Sequence, residues 1–328
     1  MTSFWQSLPK PFFSLAPMAD VTDPAYRSLI AEASKGKETS VPFVTWTEFV
    51  SADGLYHTRE KKGMPDEENP LMRDLIYVEA ERPIVAQFFS GKPEMIEYAA
   101  ALAVELGFDG FALNMGCPDK SIEKQGAGAG HIKNPENARE VVRAALRGTK
   151  GKIPVCVKTR LGYNRIEYQE WLPYLLSEDI AVLTLHLRTR KEMSAVPAHW
   201  ELGREIAEFC RGINPNILLE GNGDVPDIET ARKLAEESTF DGVMLGRAIF
   251  GNPWLFSGRA KDEITPDERL QALADLAERF HAMRPGKHHA ILKKHFKAFI
   301  SGWDGAAELR AKLMETNSLE EFKEVLGK

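Results

Sequence analysis

Eight short apolar runs, each followed by a stretch of helical character, constrain this chain more than any other feature. They are FFSLAPM (12–18), FVTWTEF (43–49), PIVAQFF (83–89), FDGFALNM (108–115), IPVCVKTR (153–160), IAVLTLHL (180–187), NILLEGNG (216–223) and FDGVMLGR (240–247). Strands that are apolar throughout and alternate with helices belong to a parallel sheet covered on both faces, since a strand with one wet face would alternate instead. Eight such units predict closure into an α/β fold of the (β/α)8 type, a TIM barrel, rather than an open sheet. Between them, PEMIEYAAALAVELG (93–107), residues 135–148 and DIETARKLAEES (227–238) carry apolar residues three and four apart, the period of a helix with one buried face.

After Trp254 the pattern changes, and from about Thr265 onward only helical periodicity remains, opened by the Pro266 start signal. Residues 1–260 are therefore read as the barrel and residues 261–328 as a C-terminal all-helical domain. A chain of 328 residues has room for both. Two long stretches without strand character interrupt the barrel: HTREKKGMPDEENP (57–70) and GCPDKSIEKQGAGAGHIKN (116–134). Both follow strand C-termini, where the loops of such barrels build the active site. The first reads equally well as a solvated charged loop and as a lid.

The balance of 43% hydrophobic and 27% charged residues is that of a globular protein. The N-terminal MTSFWQSLPKPFF has no apolar signal core, and no apolar run approaches the roughly 18 residues of a membrane span, so the expected location is the cytoplasm, with no membrane partner. Cys117, Cys156 and Cys210 have no CxxC spacing, and no His, Asp and Glu cluster has metal-ligand spacing, so neither a disulfide framework nor a metal is expected. A net charge of -6 argues against a uniformly basic polyanion binder. Against that background, RPGKHHAILKKHFK (284–297) holds five Lys or Arg, three His and no acid, and marks where a polyanion partner would dock.

Barrel closure would gather the strand ends on one face: Pro17 and Met18, Glu48, Gln87, Asn114 with Cys117, Lys158, His186, Asn222, and Gly246 with Arg247. GNGD (221–224) and LGRA (245–248) end the last two strands, where glycines let backbone N–H groups approach an anion and Arg247 adds a fixed charge. This is the usual phosphate position of such barrels. Lys158 lies inside an apolar run, where an unpaired ammonium is costly, and with His186 it could stabilise a cofactor ring that gains electrons. Cys156 and Cys210 fit the ordinary fate of a small buried hydrophobe, whereas Cys117 sits in a loop on the reactive face. GAGAG (126–130) neither follows a strand directly nor opens a βαβ helix, which excludes a dinucleotide-binding loop.

With these residues in place, the sequence resembles the tRNA-dihydrouridine synthases over nearly its whole length. The ordered motifs are LAPMADVTDPAYR (15–27), AQFFSG (86–91), NMGCPDKSIEKQGAGAG (114–130), VKTRLG (157–162), HLRTR (186–190), EGNGDV (220–225) and DGVMLGRAIFGNPWLF (241–256). The resemblance implies FMN lying on Pro17, Met18 and Ala19, near Asn114, with Gln87 and Lys158 bonding its ring and His186 nearby. Asn222, Gly223, Asp224, Gly246 and Arg247 would surround its phosphate. NADPH or NADH would reduce the flavin, hydride would pass to C6 of a uridine, expected in the D-loop of tRNA, and Cys117 would protonate C5. A thiol suits that task, being mostly protonated at neutral pH yet able to release its proton in the transition state.

In the family the helical domain helps to grip tRNA, and the expected contacts here are Lys293, Lys294, Lys297 and Arg310, with Arg188 and Arg190 in the loop after the sixth strand. Departures lie in loops: in that one Leu187 stands where the family usually has Gly and KEMSAVPAHW (191–200) differs from the usual glycine-containing stretch, and in the loop after the fourth strand His131 follows GAGAG. The alternatives are a flavin-dependent barrel that reduces a small molecule, which leaves the basic helical segment unexplained, and a non-catalytic tRNA-binding relative, against which Cys117, Lys158 and Gln87 together speak. A barrel of this size is viable alone, which favours a monomer.

Overall fold

The computed structural model describes residues 3–36 and 38–327. Eight parallel strands close into a barrel in chain order: β1 (Phe12–Leu15), β2 (Phe43–Ser51), β3 (Ile84–Phe89), β4 (Gly110–Asn114), β5 (Val155–Arg160), β6 (Val182–His186), β7 (Leu218–Asn222) and β8 (Gly242–Leu245). Closure is made by β8 against β1, with Phe13 opposite Val243, and each apolar run of the sequence supplies one strand. The three helices read from periodicity form over Pro93–Glu105, Pro135–Thr149 and Ile228–Ser238. Helix 135–149 is capped by Asn134, whose side chain accepts the Asn137 amide, and closed by Lys150 in the left-handed conformation.

The lower barrel is filled by Phe12, Val44, Trp46, Val85, Ala112, Cys156, Val182, Leu218 and Met244. A short N-terminal helix, Phe4–Ser7, closes it from below: the fully buried Trp5 ring lies 5.2 Å from Phe12 and 6.4 Å from Trp46. With Trp5 packed under the barrel, the cavity among the described residues of the barrel opens at the strand C-termini, where the polar residues are. The longest strand, β2, carries one extra residue against β3 between Trp46 and Phe49. Such a bulge re-aims the residues beyond it, and here Phe49 faces the opening while Glu48 turns away from it.

Past β8 an irregular segment leads to helix Pro266–Met283, started by a capping box in which Thr265 accepts the Glu268 amide at 3.2 Å and Glu268 accepts the Thr265 amide at 2.9 Å. Helices Lys293–Phe299, Ala306–Glu315 and Leu319–Leu326 complete the chain. They do not stand apart. One apolar cluster runs from Phe13, Leu15 and Tyr26 through Phe256 and Leu276 to Phe296, Phe299 and Phe322, so the helices share a core with the barrel's first and last strands. Among the described residues no helix is long and apolar enough to cross a membrane, and no group of three or more His, Cys, Asp or Glu could hold a metal ion.

Candidate active site

A cavity of about 680 Å³ opens at the C-terminal end of the barrel, a size typical of small-molecule and cofactor sites. Of the residues singled out from the sequence, Pro17, Met18, Asn114, Cys117, Lys158, His186, Arg188, Asn222, Gly223, Asp224, Gly246 and Arg247 line it. Ala19 and Gln87 do not: Ala19 is exposed outside, and Gln87 is fully buried behind Asn114.

The β4 end builds the position of the thiol. Asn114 donates to Gln87 Oε1 at 3.0 Å, and its own Oδ1 accepts the amides of Gly116 and Cys117 at 3.2 and 3.0 Å, folding the chain back after the strand. The Cys117 carbonyl accepts the Ala129 amide at 2.9 Å. Gly128 packs so closely there, at φ +57°, that a Cβ would stand 2.7 Å from that carbonyl, which explains a glycine of the GAGAG run. Burial pushes the Cys117 thiol above its ordinary range, so it stays protonated at neutral pH.

Lys158 is half-buried in the cavity wall and donates to Asn222 Oδ1 at 3.1 Å, while Asn222 donates to the Met244 carbonyl at 2.8 Å. Burial and the nearby Arg160 charge push Lys158 down to about 8. Beneath it on β7 lies a carboxyl that sequence reading passed over: Glu220 is fully buried, accepts the Thr184 hydroxyl at 2.6 Å and is pushed up to about 7 by burial. His186 is held well below its ordinary value by burial and then by the cations around it, Arg160 first, so its imidazole is neutral. Its Nε2 lies 3.0 Å from Arg188 Nη1 and serves as acceptor there.

At the β7 and β8 ends Asp224 binds both Arg188 and Arg247, and the Arg188 hydrogen bond holds its carboxyl below the usual range. The Asp224 carboxylate also accepts the Ala198 amide at 2.9 Å. Gly223 sits at φ +130° with Trp200 Nε1 on its carbonyl at 2.7 Å, and a Cβ there would stand 2.8 Å from Ala198. Arg247 is 63% exposed, so its guanidinium is open to an anion entering from the cavity mouth.

Arg160, which sequence reading also missed, is buried against the opposite wall and donates to the carbonyls of Gly116 at 2.7 Å, Thr189 at 3.1 Å and Met193 at 3.2 Å. It thereby ties the Cys117 loop to the loop after β6. Its signal was present in VKTRLG, two residues beyond Lys158 on β5, where alternate residues face the same way.

Several expected nucleic-acid contacts sit elsewhere than foreseen. Arg188 is buried in the cavity wall, and Arg190 grips both oxygens of Glu123, Nη2 at 2.8 Å. The segment 284–297 is not one surface patch. Arg284 is buried and bound by Glu48 at 2.7 Å and by Asp74, with Asp23 at 3.5 Å, so a cation expected to meet a polyanion joins the helices to the barrel instead. His289 and His295 are buried too, pushed down by burial to about 4 and about 3 and hence neutral. Lys293 donates to the Met314 carbonyl at 2.7 Å. Lys294, Lys297 and Arg310 do converge, with Phe250, on a second pocket, and Phe250 also lines the first.

Comparison with known proteins agrees with this geometry. The family profile described as Dihydrouridine synthase (Dus) matches residues 14–328. "Probable tRNA-dihydrouridine synthase 2" of Bacillus subtilis (strain 168) is 40% identical over 327 residues, covering 99% of this chain and 95% of that protein. "Probable tRNA-dihydrouridine synthase" of Staphylococcus aureus (strain COL) is also 40% identical, covering 99% and 94%. Among solved structures, histamine dehydrogenase from Rhizobium sp. 4-9 superposes with a TM-score of 0.55 at 14% identity, over 81% of this chain and 48% of that one. The chain thus spans about half of that structure, and at such identity the likeness is one of fold alone.

Proposed function

The chain belongs to the dihydrouridine synthase family, and from that premise we propose that it reduces the C5–C6 double bond of a uridine in tRNA, expected in the D-loop, using FMN and NADPH or NADH. The observation that carries the reading is that Cys117 and Lys158 open on the same cavity as the Gly223, Asp224 and Arg247 end. The donor set suits a flavin. Arg247 and the glycine backbone at the β7 and β8 ends would take its phosphate, Pro17, Met18 and Asn114 would flank its ring, and Lys158 would stand beside it. Gln87 Nε2, buried without a partner next to Asn114, leaves an unused donor one residue deeper than the cavity wall that the ring would lie against. When bound and reduced, the flavin would supply hydride to C6 of uracil.

The chain's own residues supply the rest. Cys117 delivers the proton to C5, and its raised pKa keeps that proton on sulfur until negative charge develops on the base. Lys158, charged below about pH 8, offers a positive charge that is strong because little water screens it. His186, kept neutral, binds without adding to the cations around it. Asn114 and Arg160 hold the Cys117 loop, so the thiol is positioned before substrate arrives. Residues 261–328 act as the tRNA-binding unit through Lys293, Lys294, Lys297 and Arg310, and the enzyme works as a cytoplasmic monomer.

The test is incubation of flavin-loaded protein with NADPH and unmodified tRNA, followed by digestion and mass spectrometry. A uridine heavier by one hydride and one proton, absent with Cys117→Ala, is the expected result. No gain from flavin-loaded protein would remove uridine reduction from the reading.

A further inference from the structure

The loop after β6 carries an exposed methionine at an unusual place. Met193 is 52% exposed and sits at φ +52°, a left-handed conformation that a long side chain holds only when its surroundings fix it. They do fix it. The Met193 carbonyl accepts from Arg160 Nη1 at 3.2 Å, its amide donates to the Arg190 carbonyl at 3.3 Å, and the Ala195 amide closes the turn on Glu192 at 2.8 Å. Glu192 in turn accepts the Thr189 amide at 2.7 Å, and Arg190 is clamped on Glu123.

The same Arg160 that holds Met193 holds the Gly116 carbonyl, one residue before the proposed proton donor, and Ser194, one residue after Met193, lines the cavity. A single exposed apolar side chain is ordinary on a protein surface. One displayed on a strained turn at the rim of a reaction cavity, and tied through one guanidinium to the backbone of the loop that carries the thiol, has a defined position relative to whatever enters.

We propose that Met193 is a wedge: it packs against the RNA bases left behind when the target uridine turns out of its stack into the cavity. The inference rests on the uridine-reducing reading above. A base inside folded RNA cannot reach the thiol without leaving its neighbours, and the cost of unstacking falls when an apolar side chain fills the gap. A thioether is unbranched and polarizable, and makes favourable contacts with aromatic rings. The role is one of positioning, and it acts only on a substrate whose uridine starts out stacked.

That restriction supplies the test. Wild type, Met193→Ala and Met193→Leu are compared on folded tRNA and on a short single-stranded uridine-containing RNA, each by kcat/KM. Met193→Ala should lower the ratio of the tRNA value to the single-strand value by about tenfold, the scale expected when unstacking loses its support, and Met193→Leu should restore most of it. A ratio within about twofold of wild type, or an equal loss on both RNAs, overturns the wedge, the latter outcome meaning that the turn serves the cavity wall only. Wild-type protein that reduces neither RNA overturns the uridine-reducing reading and the wedge with it.

Discussion

The barrel mouth and the C-terminal helices both gather cations, yet water reaches them very differently. At the mouth, Lys158 is half-buried, Arg160 and Arg188 are buried, and each is engaged by carbonyl, amide or carboxylate groups. On the helices, Lys294 and Lys297 are exposed around a shallow pocket. A buried charge acts at short range, keeps its strength in salt and titrates away from its ordinary pKa. An exposed one acts over about 10 Å at ordinary ionic strength and is screened beyond that. The first group suits chemistry on one small ring, the second the capture of a large polyanion.

The largest effect that would sharpen this contrast lies at the mouth. Cys117→Ala should keep the flavin's visible absorbance and tRNA affinity while uridine reduction falls by about 10³-fold, within the range general acid catalysis supplies. Single-turnover kinetics with pre-reduced protein would measure it. Full activity would take the thiol out of the reaction and leave the mouth as a binding site.

Arg284 tests the contrast from the other side, because by sequence it belongs to the helical group and by burial to the mouth's kind. Arg284→Met leaves Glu48, Asp74 and Asp23 without their shared counter-charge, so stability should drop by roughly 3 kcal/mol, the usual cost of breaking a buried ion pair. Urea unfolding would show it, and the salt dependence of tRNA binding by the folded variant should not change. Weaker, less salt-sensitive binding at unaltered stability would return Arg284 to the surface patch.

That residue also marks where sequence reading stops. The eight apolar runs specify the barrel because strand burial is a local property, read from the run itself. The strand-end residues specify the cavity because barrel topology alone brings them together. Whether a cation is buried depends instead on partners far along the chain: Arg284 meets Glu48, and Arg188 meets Asp224, neither of which is visible in a local window. Gln87 lies behind Asn114 for the same reason, since their contact joins neighbouring strands. Arg160 was within reach, two positions past Lys158 on the same strand, but its importance comes from the three carbonyls that it collects.

A pH profile separates the two groups more finely. Lys158 is pushed down to about 8, so its positive charge is present below that pH and lost above it, whereas the raised Cys117 thiol keeps its proton to higher pH. Uridine reduction at saturating reductant should therefore fall on an alkaline limb centred near pH 8, approaching tenfold per pH unit beyond it. A limb above pH 10, where an ordinary lysine titrates, would mean that water reaches Lys158 freely.

The smallest effect is expected on the helices, and there salt is the discriminating variable. Replacing Lys294, Lys297 and Arg310 with Ala removes up to three phosphate contacts. Affinity for tRNA should fall by roughly three- to tenfold at moderate salt, and the slope of log K against log salt should shrink by roughly two to three. Filter binding across a salt series would measure both. Because counterion release belongs to exposed charge, the slope should move for this triple variant and stay fixed for Arg284→Met, even though all four residues come from the same helical stretch. An unchanged slope in the triple variant would put the tRNA grip on other exposed cations, with Arg247 at the cavity mouth the first to examine.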